Sequence, residues 1–225
     1  MPAETESLIT ITNPMSPISE AYRSLRTSIQ FASFDNPVHT IAVTSTGSEE
    51  GKTTTLANLA VTFSETGNRV ILVDADLRRP TLHKRFGLSN EIGLTSAFIK
   101  GQTERPTLNL QETTIPNLRV LTSGPLPPNP SALLGSSQMR KVIEALREEA
   151  EYVLFDCPPI LAVTDAAILG HQVDGVLLVV SAYSTKRDHA IKAKAILEKV
   201  NANILGVVLN NAKLDTSVYQ YYAQR

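Results

Sequence analysis

Short apolar runs alternate with polar loops and amphipathic stretches along most of this chain. The runs at residues 152–156, 176–181 and 204–210 are almost continuous in Val, Ile, Leu and Phe, without regular polar positions. Continuous runs of this kind are typical of strands buried on both faces, as in a parallel sheet with helices on each side. The pattern therefore predicts an α/β fold, with a doubly wound and mainly parallel sheet flanked by helices.

The earlier part of the chain predicts the same order of strand, loop and helix. Residues 38–44 and 69–74 predict strands, and residues 52–65 predict a helix. Residues 131–150 predict one further helix, with Ser131 as its N-cap. We find no internal repeat and no sign of a second domain.

Three regions are expected along the chain. Residues 1–17 are polar and contain three prolines, which predicts a flexible N-terminal segment. Residues 18–214 are expected to form a single domain that opens with a helix at residues 18–34, and residues 215–225 a tyrosine-rich tail. Apolar residues recur in that helix at steps of three and four, which predicts one apolar seam. The seam consists of Ile18, Tyr22, Leu25, Ile29 and Ala32.

Composition narrows the class of protein. The 225 residues are 42% hydrophobic and 19% charged, which is enough for one sizeable core. With 21 basic and 22 acidic side chains, the net charge of −1 argues against a dedicated nucleic-acid binder. A single cysteine cannot form an internal disulfide, and the N-terminus lacks the apolar stretch of a secretory signal. We therefore expect a soluble chain in a reducing compartment.

A glycine-lysine loop between a predicted strand and a predicted helix is the strongest local motif. Its backbone N–H groups and the start of the helix can bind phosphate, Lys52 can reach the β- and γ-phosphates, and the hydroxyl of Thr53 can bind Mg²⁺. Thr46 stands where the usual motif has its first glycine, so a ligand-free turn at a helix start is the alternative. The candidate nucleotide-binding residues here are Ser48, Glu49, Glu50, Gly51, Lys52, Thr53 and Thr54.

Three acidic residues follow the apolar strands that neighbour this loop in sequence. Asp74 and Asp76 close the strand at residues 69–74, and Asp156 closes the strand at residues 152–156. Ligands of open α/β sheets bind beyond the carboxyl ends of the strands, so these carboxylates are expected to lie near Lys52. Buried acids on one face repel each other unless a cation lies between them, which indicates a site for nucleotide-bound Mg²⁺.

Together these segments resemble the bacterial tyrosine kinases, cytoplasmic P-loop enzymes of the MinD/ParA-like class that regulate capsule and exopolysaccharide production. Residues 52–54 resemble the Walker A motif of that family, residues 71–80 its Walker A′ motif and residues 153–159 its Walker B motif. The resemblance covers nearly all of residues 18–225, although Ser48-Glu49 replaces the usual Pro-Gly. Further matching segments are residues 20–26, 79–84, 124–130 and 206–210.

This resemblance implies ATP and Mg²⁺ as cofactors. We expect Lys52 to hold the phosphates, and Thr53, Asp74 and Asp156 to hold the metal directly or through water. Asp76 is our candidate to accept or orient the proton of the attacking tyrosine, and the reverse assignment of Asp74 and Asp76 stays open.

Other roles are implied around this centre. Asn210 is expected to contact adenine, with Asn211 as an equal candidate and a simple strand-end turn as the alternative. Arg78 and Arg79 are expected to steady phosphates or the incoming tail, or to form surface ion pairs.

The resemblance also assigns the two ends of the chain. Tyr219, Tyr221 and Tyr222 match the tyrosine cluster that these kinases phosphorylate. A matching oligomerisation motif, Glu20, Arg23 and Arg26, is expected to be exposed on the side of its helix away from the seam. The implied assembly is a ring in which each subunit offers its tail to a neighbour. Implied partners are a transmembrane polysaccharide co-polymerase and a tyrosine phosphatase, which would place the kinase at the inner face of the membrane.

Two competing functions remain. A MinD/ParA-like positioning ATPase would hydrolyse ATP without modifying tyrosine, but residues 46–50 lack the early lysine typical of that class. A non-catalytic nucleotide-binding regulator is the second competitor, and the intact set of Lys52, Asp74, Asp76 and Asp156 argues against it.

Overall fold

A seven-stranded sheet forms the centre of the computed structural model, which describes residues 8–32, 37–98 and 106–213. The strands are β1 Thr40–Ser45, β2 Val70–Asp74, β3 Gln111–Glu112, β4 Leu118–Leu121, β5 Tyr152–Asp156, β6 Gly175–Ser181 and β7 Ile204–Asn210. Their order is β3-β4-β2-β5-β1-β6-β7, and every pair is parallel except β3 with β4. The predicted fold class is confirmed.

Helices cover both faces of this sheet. They are α1 Ile9–Thr12, α2 Pro17–Ala32, α3 Lys52–Ser64, α4 Leu82–Phe86, α5 Pro130–Leu134, α6 Ser137–Glu149, α7 Asp165–Gly170 and α8 Arg187–Lys199, with a 3₁₀ helix at Leu94–Phe98. Within β1, Ile41 and Val43 pack into the core beneath α3, whereas Ala42 packs into the core beneath α6, α7 and α8. Burial on both faces explains why the central strands contain almost no polar positions. Among the described residues, no helix has the length and apolar content needed to cross a bilayer.

The expectation of a flexible segment at residues 1–17 is wrong for the part that the structure describes. Leu8 is fully buried, and Thr10 donates to Asn58 Oδ1 on α3 through its amide (3.1 Å) and its hydroxyl (2.9 Å). Ser19 at the start of α2 donates to the carbonyls of Ile9 and Asn13. Because a single buried leucine and a few polar contacts fix this segment, its polar composition gave no sign of packing.

The apolar seam of α2 is buried at its centre, where Leu25 packs against the core beneath α3, but not at its ends. Ile29 is buried, but Ile18 is 47% exposed and Ala32 is exposed. Arg26 donates to the carbonyl of Thr62 (2.8 Å) at the end of α3, where unpaired helix carbonyls attract a cation.

Arg23 also reaches beyond its own helix. It lies 3.5 Å from the carboxylate of Glu65 and donates to the carbonyl of Pro14 (2.7 Å). We predicted that Glu20, Arg23 and Arg26 are all exposed, and this is right only for Glu20. The two arginines are partly buried, because the aliphatic parts of their side chains pack against the protein surface.

The single helix expected at residues 131–150 is two helices, α5 and α6, separated at Gly135-Ser136. Asn129 caps α5 by accepting from the amide of Ala132, and Ser136 caps α6 by accepting from the amide of Met139. Ser131 is therefore not an N-cap. The chain bends because Ser136 satisfies the helix start with its own hydroxyl, a contact that competes with a continuous helix.

One carboxylate, Asp174, connects several elements at the amino edge of the sheet, where the parallel strands begin and which lies opposite to the candidate site. Asp174 accepts from the amides of His39 (3.0 Å) and Thr40 (2.8 Å), from the Thr40 hydroxyl (2.9 Å), and from Arg147 (2.5 Å). Partial burial raises the pKa of Asp174, but these donors outweigh it and leave the pKa below its usual value. This ionised group joins β1, α6 and the start of β6.

Candidate nucleotide site

The phosphate loop follows β1 and turns into α3 at Gly51. Gly51 adopts φ 84°, and a Cβ at this position would lie 1.9 Å from Asn210 Nδ2. Asn210, at the end of β7, donates to the carbonyl of Glu50 (2.9 Å). Only glycine fits a turn that is both left-handed and pressed against a side chain. Asn210 therefore supports the loop directly.

Glu50 has its side chain inside the loop. Its carboxylate is 5% exposed and accepts from the amide (2.8 Å) and hydroxyl (2.6 Å) of Thr46 and from the amide of Gly47 (3.0 Å). The hydroxyl of Thr185, after β6, donates to the same carboxylate. Thr46 replaces the first glycine of the usual motif, and its hydroxyl contributes to this internal network. Glu50 can therefore offer a ligand only its backbone, because its side-chain oxygens are already occupied.

Lys52 and Thr53 contact the carboxylate at the end of β5. Lys52 Nζ donates to Asp156 Oδ1, and Thr53 Oγ1 donates to Asp156 Oδ2 at 2.6 Å. Lys52 Nζ also lies 3.9 Å from Asp76 Oδ2. Burial lowers the pKa of Lys52, but the charges of Asp156 and Asp76 outweigh it and raise the pKa above its usual value. The ammonium group is therefore charged at neutral pH, between two acidic groups.

Asp74 lies beside Asp156, because the two residues are register partners on β2 and β5. It is fully buried, and its Oδ2 accepts from the amides of Thr81 (3.0 Å) and Leu82 (2.9 Å). Its Oδ1 is buried without a hydrogen-bond partner among the described residues. Burial, together with the charge of Asp156, raises the pKa of Asp74 to about 8.

Asp76 is more accessible than Asp74. It is 8% exposed, and its Oδ1 accepts from the amide of Arg79 at 3.0 Å. Burial raises its pKa, and the charge of Lys52 opposes part of that rise. The three predicted segments do converge, since Lys52, Thr53, Asp74, Asp76 and Asp156 all meet at the carboxyl edge of the sheet.

The donor set fits Mg²⁺ bound together with a nucleotide. In the part of the chain that the structure describes, no three His, Cys, Asp or Glu residues are placed to hold a metal ion by themselves. Mg²⁺ prefers oxygen ligands and is usually held by one or two carboxylates plus phosphate oxygens and water. The hydroxyl of Thr53, the carboxylate of Asp156 and the unpartnered Oδ1 of Asp74 supply such oxygens.

Sequence reasoning missed the contact that anchors the Walker A′ loop. Arg78 donates through Nε (2.8 Å) and Nη2 (3.0 Å) to Asp165, whose side chain is fully buried at the start of α7. Ser131 donates to the same carboxylate at 2.9 Å. Arg78 is thus an ion-pair residue, one of the roles left open for it. The only signal in the sequence was an aspartate at the start of a short apolar helix, which also fits a simple helix cap.

A cavity of about 270 Å³ lies between α2, the start of α3 and β7. Tyr22, Leu25 and Thr55 line one side, and Asn210 and Asn211 line the other. Asn211 adopts φ 57° and donates to the hydroxyl of Ser181 at 3.2 Å. Both candidate asparagines thus border a partly apolar space next to the phosphate loop. The predicted acceptors Tyr219, Tyr221 and Tyr222 lie outside the described residues.

Comparison with known proteins places this geometry among nucleotide-binding domains. Residues 41–224 match the profile of the CobQ/CobB/MinD/ParA nucleotide binding domain. The tyrosine-protein kinase YwqD of Bacillus subtilis is 44% identical over 97% of this chain and 92% of its own length.

Similar solved structures include a tyrosine kinase domain and a complex of MinD with Mg-ADP. The kinase domain of the Escherichia coli tyrosine kinase ETK has a TM-score of 0.85 and 32% identity, covering 93% of this chain and 82% of that domain. In the full-length Etk sequence the match, at 34% identity, spans 29% of the protein. The septum site-determining protein MinD of Pyrococcus horikoshii, complexed with Mg-ADP, is less similar, with a TM-score of 0.62 and 25% identity over 76% of this chain and 69% of its own.

Proposed function

Since this chain belongs to the tyrosine-protein kinases within the CobQ/CobB/MinD/ParA nucleotide-binding family, we propose that it transfers the γ-phosphoryl group of ATP to its own C-terminal tyrosines. The acceptors are Tyr219, Tyr221 and Tyr222. One observation carries the proposal: Lys52 lies at the start of α3, between Asp156 and Asp76, where a triphosphate would meet a cation and an acidic proton acceptor.

Nucleotide binding rearranges the contacts of Lys52 and Thr53. Backbone amides of residues 48–54 and the start of α3 bind the phosphates, and Lys52 moves from Asp156 to the β- and γ-phosphate oxygens. Thr53, Asp74 and Asp156 would hold Mg²⁺, which would supply positive charge to the transferring group. At the other end of the nucleotide, Asn210 contacts adenine in the cavity beside Tyr22 and Leu25.

The two carboxylates of the Walker A′ segment have different roles. Asp74 is fully buried and bound by two amides, which suits a residue that shapes the metal site. Asp76 is partly accessible and close to Lys52, which suits a residue that accepts the tyrosine proton. In the reaction, the tyrosine oxygen bonds to the γ-phosphorus, the bond to the β-bridging oxygen breaks, ADP leaves, and the proton passes to Asp76.

Self-association brings one tail to another active site. Glu20 is exposed on α2 and the Arg23 side chain is 26% exposed, so both can contact a neighbouring copy, whereas Arg26 is partly buried against α3. We propose a ring built with this motif. Etk extends well beyond the matching region, so a relative of this kinase has further sequence in the same chain, and we propose a membrane-associated co-polymerase as partner, in this chain or another. The kinase then acts at the inner membrane face in polysaccharide synthesis, and a tyrosine phosphatase reverses the modification.

A mixing experiment tests the reaction and its intermolecular character. One sample contains Lys52→Met with all tyrosines intact, and the second contains active kinase with Tyr219, Tyr221 and Tyr222 changed to Phe. After incubation together with Mg-ATP, phosphotyrosine is mapped by mass spectrometry. Phosphate on the tail of the Lys52→Met chain supports transfer between copies. ATP hydrolysis without phosphotyrosine, in the mixture and in the wild type, would instead support a MinD/ParA-like positioning ATPase.

A further inference from the structure

Two segments beside the nucleotide site face each other across an open groove. They are residues 79–84, which follow the Walker A′ strand, and residues 124–130, which follow β4. The groove has a volume of about 490 Å³, and Arg79, His83, Lys84, Pro125 and Leu126 are among its lining residues. It begins beside the proposed proton acceptor, because the amide of Arg79 donates to Asp76 Oδ1 at 3.0 Å. A polypeptide in this groove can therefore present a side chain to Asp76.

The proline-containing wall of the groove is fixed by hydrogen bonds. Asn90 accepts from the amide of Gly124 (2.9 Å) and donates to its carbonyl (3.1 Å), and Thr95 donates to the carbonyl of Pro125 (2.8 Å). Gly124 adopts φ 76°, and a Cβ there would lie 2.6 Å from Thr95 Oγ1. This wall is therefore rigid before a ligand binds, which lowers the entropy lost on binding.

The cations of the opposite wall, Arg79 and Lys84, have no acidic partner in the part of the chain that the structure describes. Within the described residues, no carboxylate lies within ion-pair distance of Arg79 or Lys84, although the neighbouring Arg78 is held by Asp165. Burial and the charge of Lys84 lower the pKa of His83, so its ring is neutral at pH 7. None of the described residues that line the groove is acidic. Two positive charges without a carboxylate partner among the described residues thus border a rigid surface beside the active site.

We propose that this groove binds the tyrosine segment of a second copy, and that Arg79 and Lys84 bind the phosphate of a tail tyrosine that is already modified. The inference rests on the proposed function. A phosphotyrosine carries close to two negative charges and three acceptor oxygens, which match an arginine and a lysine. In an extended chain, residues two apart lie about 7 Å from each other on the same face. Tyr219 and Tyr221 have this spacing, so one can bind Asp76 while the other lies in the groove.

The consequence is a preference for partly modified tails. The first phosphoryl transfer to a tail lacks the phosphate contact, and later transfers gain it. Tails are then expected to be either unmodified or modified at several tyrosines.

Two synthetic peptides test the preference with the intact protein as kinase. Both cover residues 213–225 with Tyr222→Phe, and one carries phosphotyrosine at position 221, so Tyr219 is the common acceptor. We expect the phosphorylated peptide to have a kcat/KM about tenfold higher, through a lower KM, as for one or two charge-assisted hydrogen bonds. In the double variant Arg79→Ala/Lys84→Ala the ratio of the two kcat/KM values is expected to fall to about one.

A matched control removes the same two charges elsewhere. Arg140→Ala/Lys141→Ala changes exposed residues of α6 and is expected to keep the preference of the wild type. Fluorescence anisotropy of the labelled peptides, with no ATP present, measures the same preference as binding and its weakening by salt.

The outcomes separate the inference from the proposed function. If the wild type phosphorylates neither peptide nor its own tail, the proposed function fails. Equal kcat/KM values for the two peptides, or a preference that survives Arg79→Ala/Lys84→Ala, overturn the groove and leave the kinase assignment standing. Circular dichroism and thermal unfolding of the double variant show whether it is folded. If it is not, the wild-type peptide ratio and the single variants Arg79→Gln and Lys84→Gln decide the question by the same criterion.

Discussion

Two aspartates at opposite edges of one sheet show what separates a structural carboxylate from a functional one. Asp174, at the amino edge, accepts from two amides, a hydroxyl and Arg147, and its pKa lies below the usual value. Asp74, at the carboxyl edge, accepts from two amides, has one oxygen without a partner among the described residues, and has a pKa raised to about 8. Burial raises both pKa values, and the charge of Asp156 adds to the rise at Asp74, whereas Arg147 and the other donors outweigh the rise at Asp174. The carboxyl edge therefore holds a carboxyl group whose ionised form lacks donors, and a bound cation can stabilise that form.

A third carboxylate shows that a position at the carboxyl edge does not by itself make a carboxylate functional. Asp165 also lies near the candidate site and is fully buried, but Arg78 and Ser131 satisfy it. It therefore belongs with Asp174 as a structural group. Of these three aspartates, only Asp74, beside Lys52 and Asp156, has a buried oxygen without a partner among the described residues, which supports a ligand at that point.

The largest effect is expected when the ammonium group of Lys52, which lies between Asp156 and Asp76, is removed. Lys52→Met is expected to lower the rate of tyrosine phosphorylation by about 10³-fold, because it removes the positive charge on the transferring phosphate. The rate is measured by phosphotyrosine quantification at saturating Mg-ATP. The matched control is Lys141→Met on α6. A Lys52→Met rate within a few fold of wild type would contradict the assignment of this site.

A smaller effect, on stability, is expected at the satisfied carboxylate near the site. Asp165→Ala is expected to lower the free energy of unfolding by about 3 kcal/mol, because it leaves the Arg78 guanidinium and the Ser131 hydroxyl without their acceptor. Urea denaturation measures this change. Ser131→Ala, which removes one donor and keeps the ion pair, is expected to cost about 1 kcal/mol. Equal losses in the two variants would mean that the ion pair itself contributes nothing.

The corresponding change at the amino edge is expected to be somewhat weaker. Asp174→Asn is expected to lower the free energy of unfolding by about 2 kcal/mol, since Arg147 loses its charged acceptor but remains partly exposed to water. Its affinity for Mg-ADP, measured by calorimetry, is expected to match the wild type, because the change lies at the far edge of the sheet. A loss of nucleotide affinity without a loss of stability would contradict the division between the two edges.

A further effect concerns pH. Asp74 has a pKa of about 8 in the folded protein and about 4 when unfolded, so the folded state binds the extra proton between these values. Its contribution to stability is therefore present below about pH 4 and declines as the pH rises through about 8. Asp174 has the opposite behaviour, because its lowered pKa contributes stability that is lost as the pH falls below the unfolded pKa of about 4.

Nucleotide-free protein is used to measure this profile. Asp74→Asn is expected to flatten the decline between about pH 5 and pH 8, and to leave the acid limb unchanged. Urea midpoints at a series of pH values provide the profile. The comparison would be contradicted if the wild type gained stability from pH 5 to pH 8 and Asp74→Asn did the same.

Much of the fold and the centre of the site followed from local patterns. Continuous apolar runs predicted the parallel sheet, and the residues that end those runs predicted the meeting of Lys52, Asp74 and Asp156. This works because strand ends in a parallel sheet share one edge, so position along the chain fixes position in space.

What sequence reasoning missed depends on contacts between residues far apart in the chain. Arg78 and Asp165 pair across 87 positions, and Thr40 and Asp174 pair across 134. Neither pair has a periodic signature, since single polar residues at loop and helix ends fit several local roles. The burial of Leu8 and the contact of Arg26 with α3 are likewise tertiary interactions. They explain why the local sequence pattern wrongly predicted a flexible segment and an exposed motif.

The intact mass of the wild-type chain during incubation with Mg-ATP tests the central claim most directly. We expect the mass to rise by up to three phosphates, and the same time course with Lys52→Met to stay flat. Fragmentation of the product is expected to place those phosphates on Tyr219, Tyr221 and Tyr222. Steady formation of ADP by the wild type with no change in its mass would contradict the assignment as a tyrosine kinase.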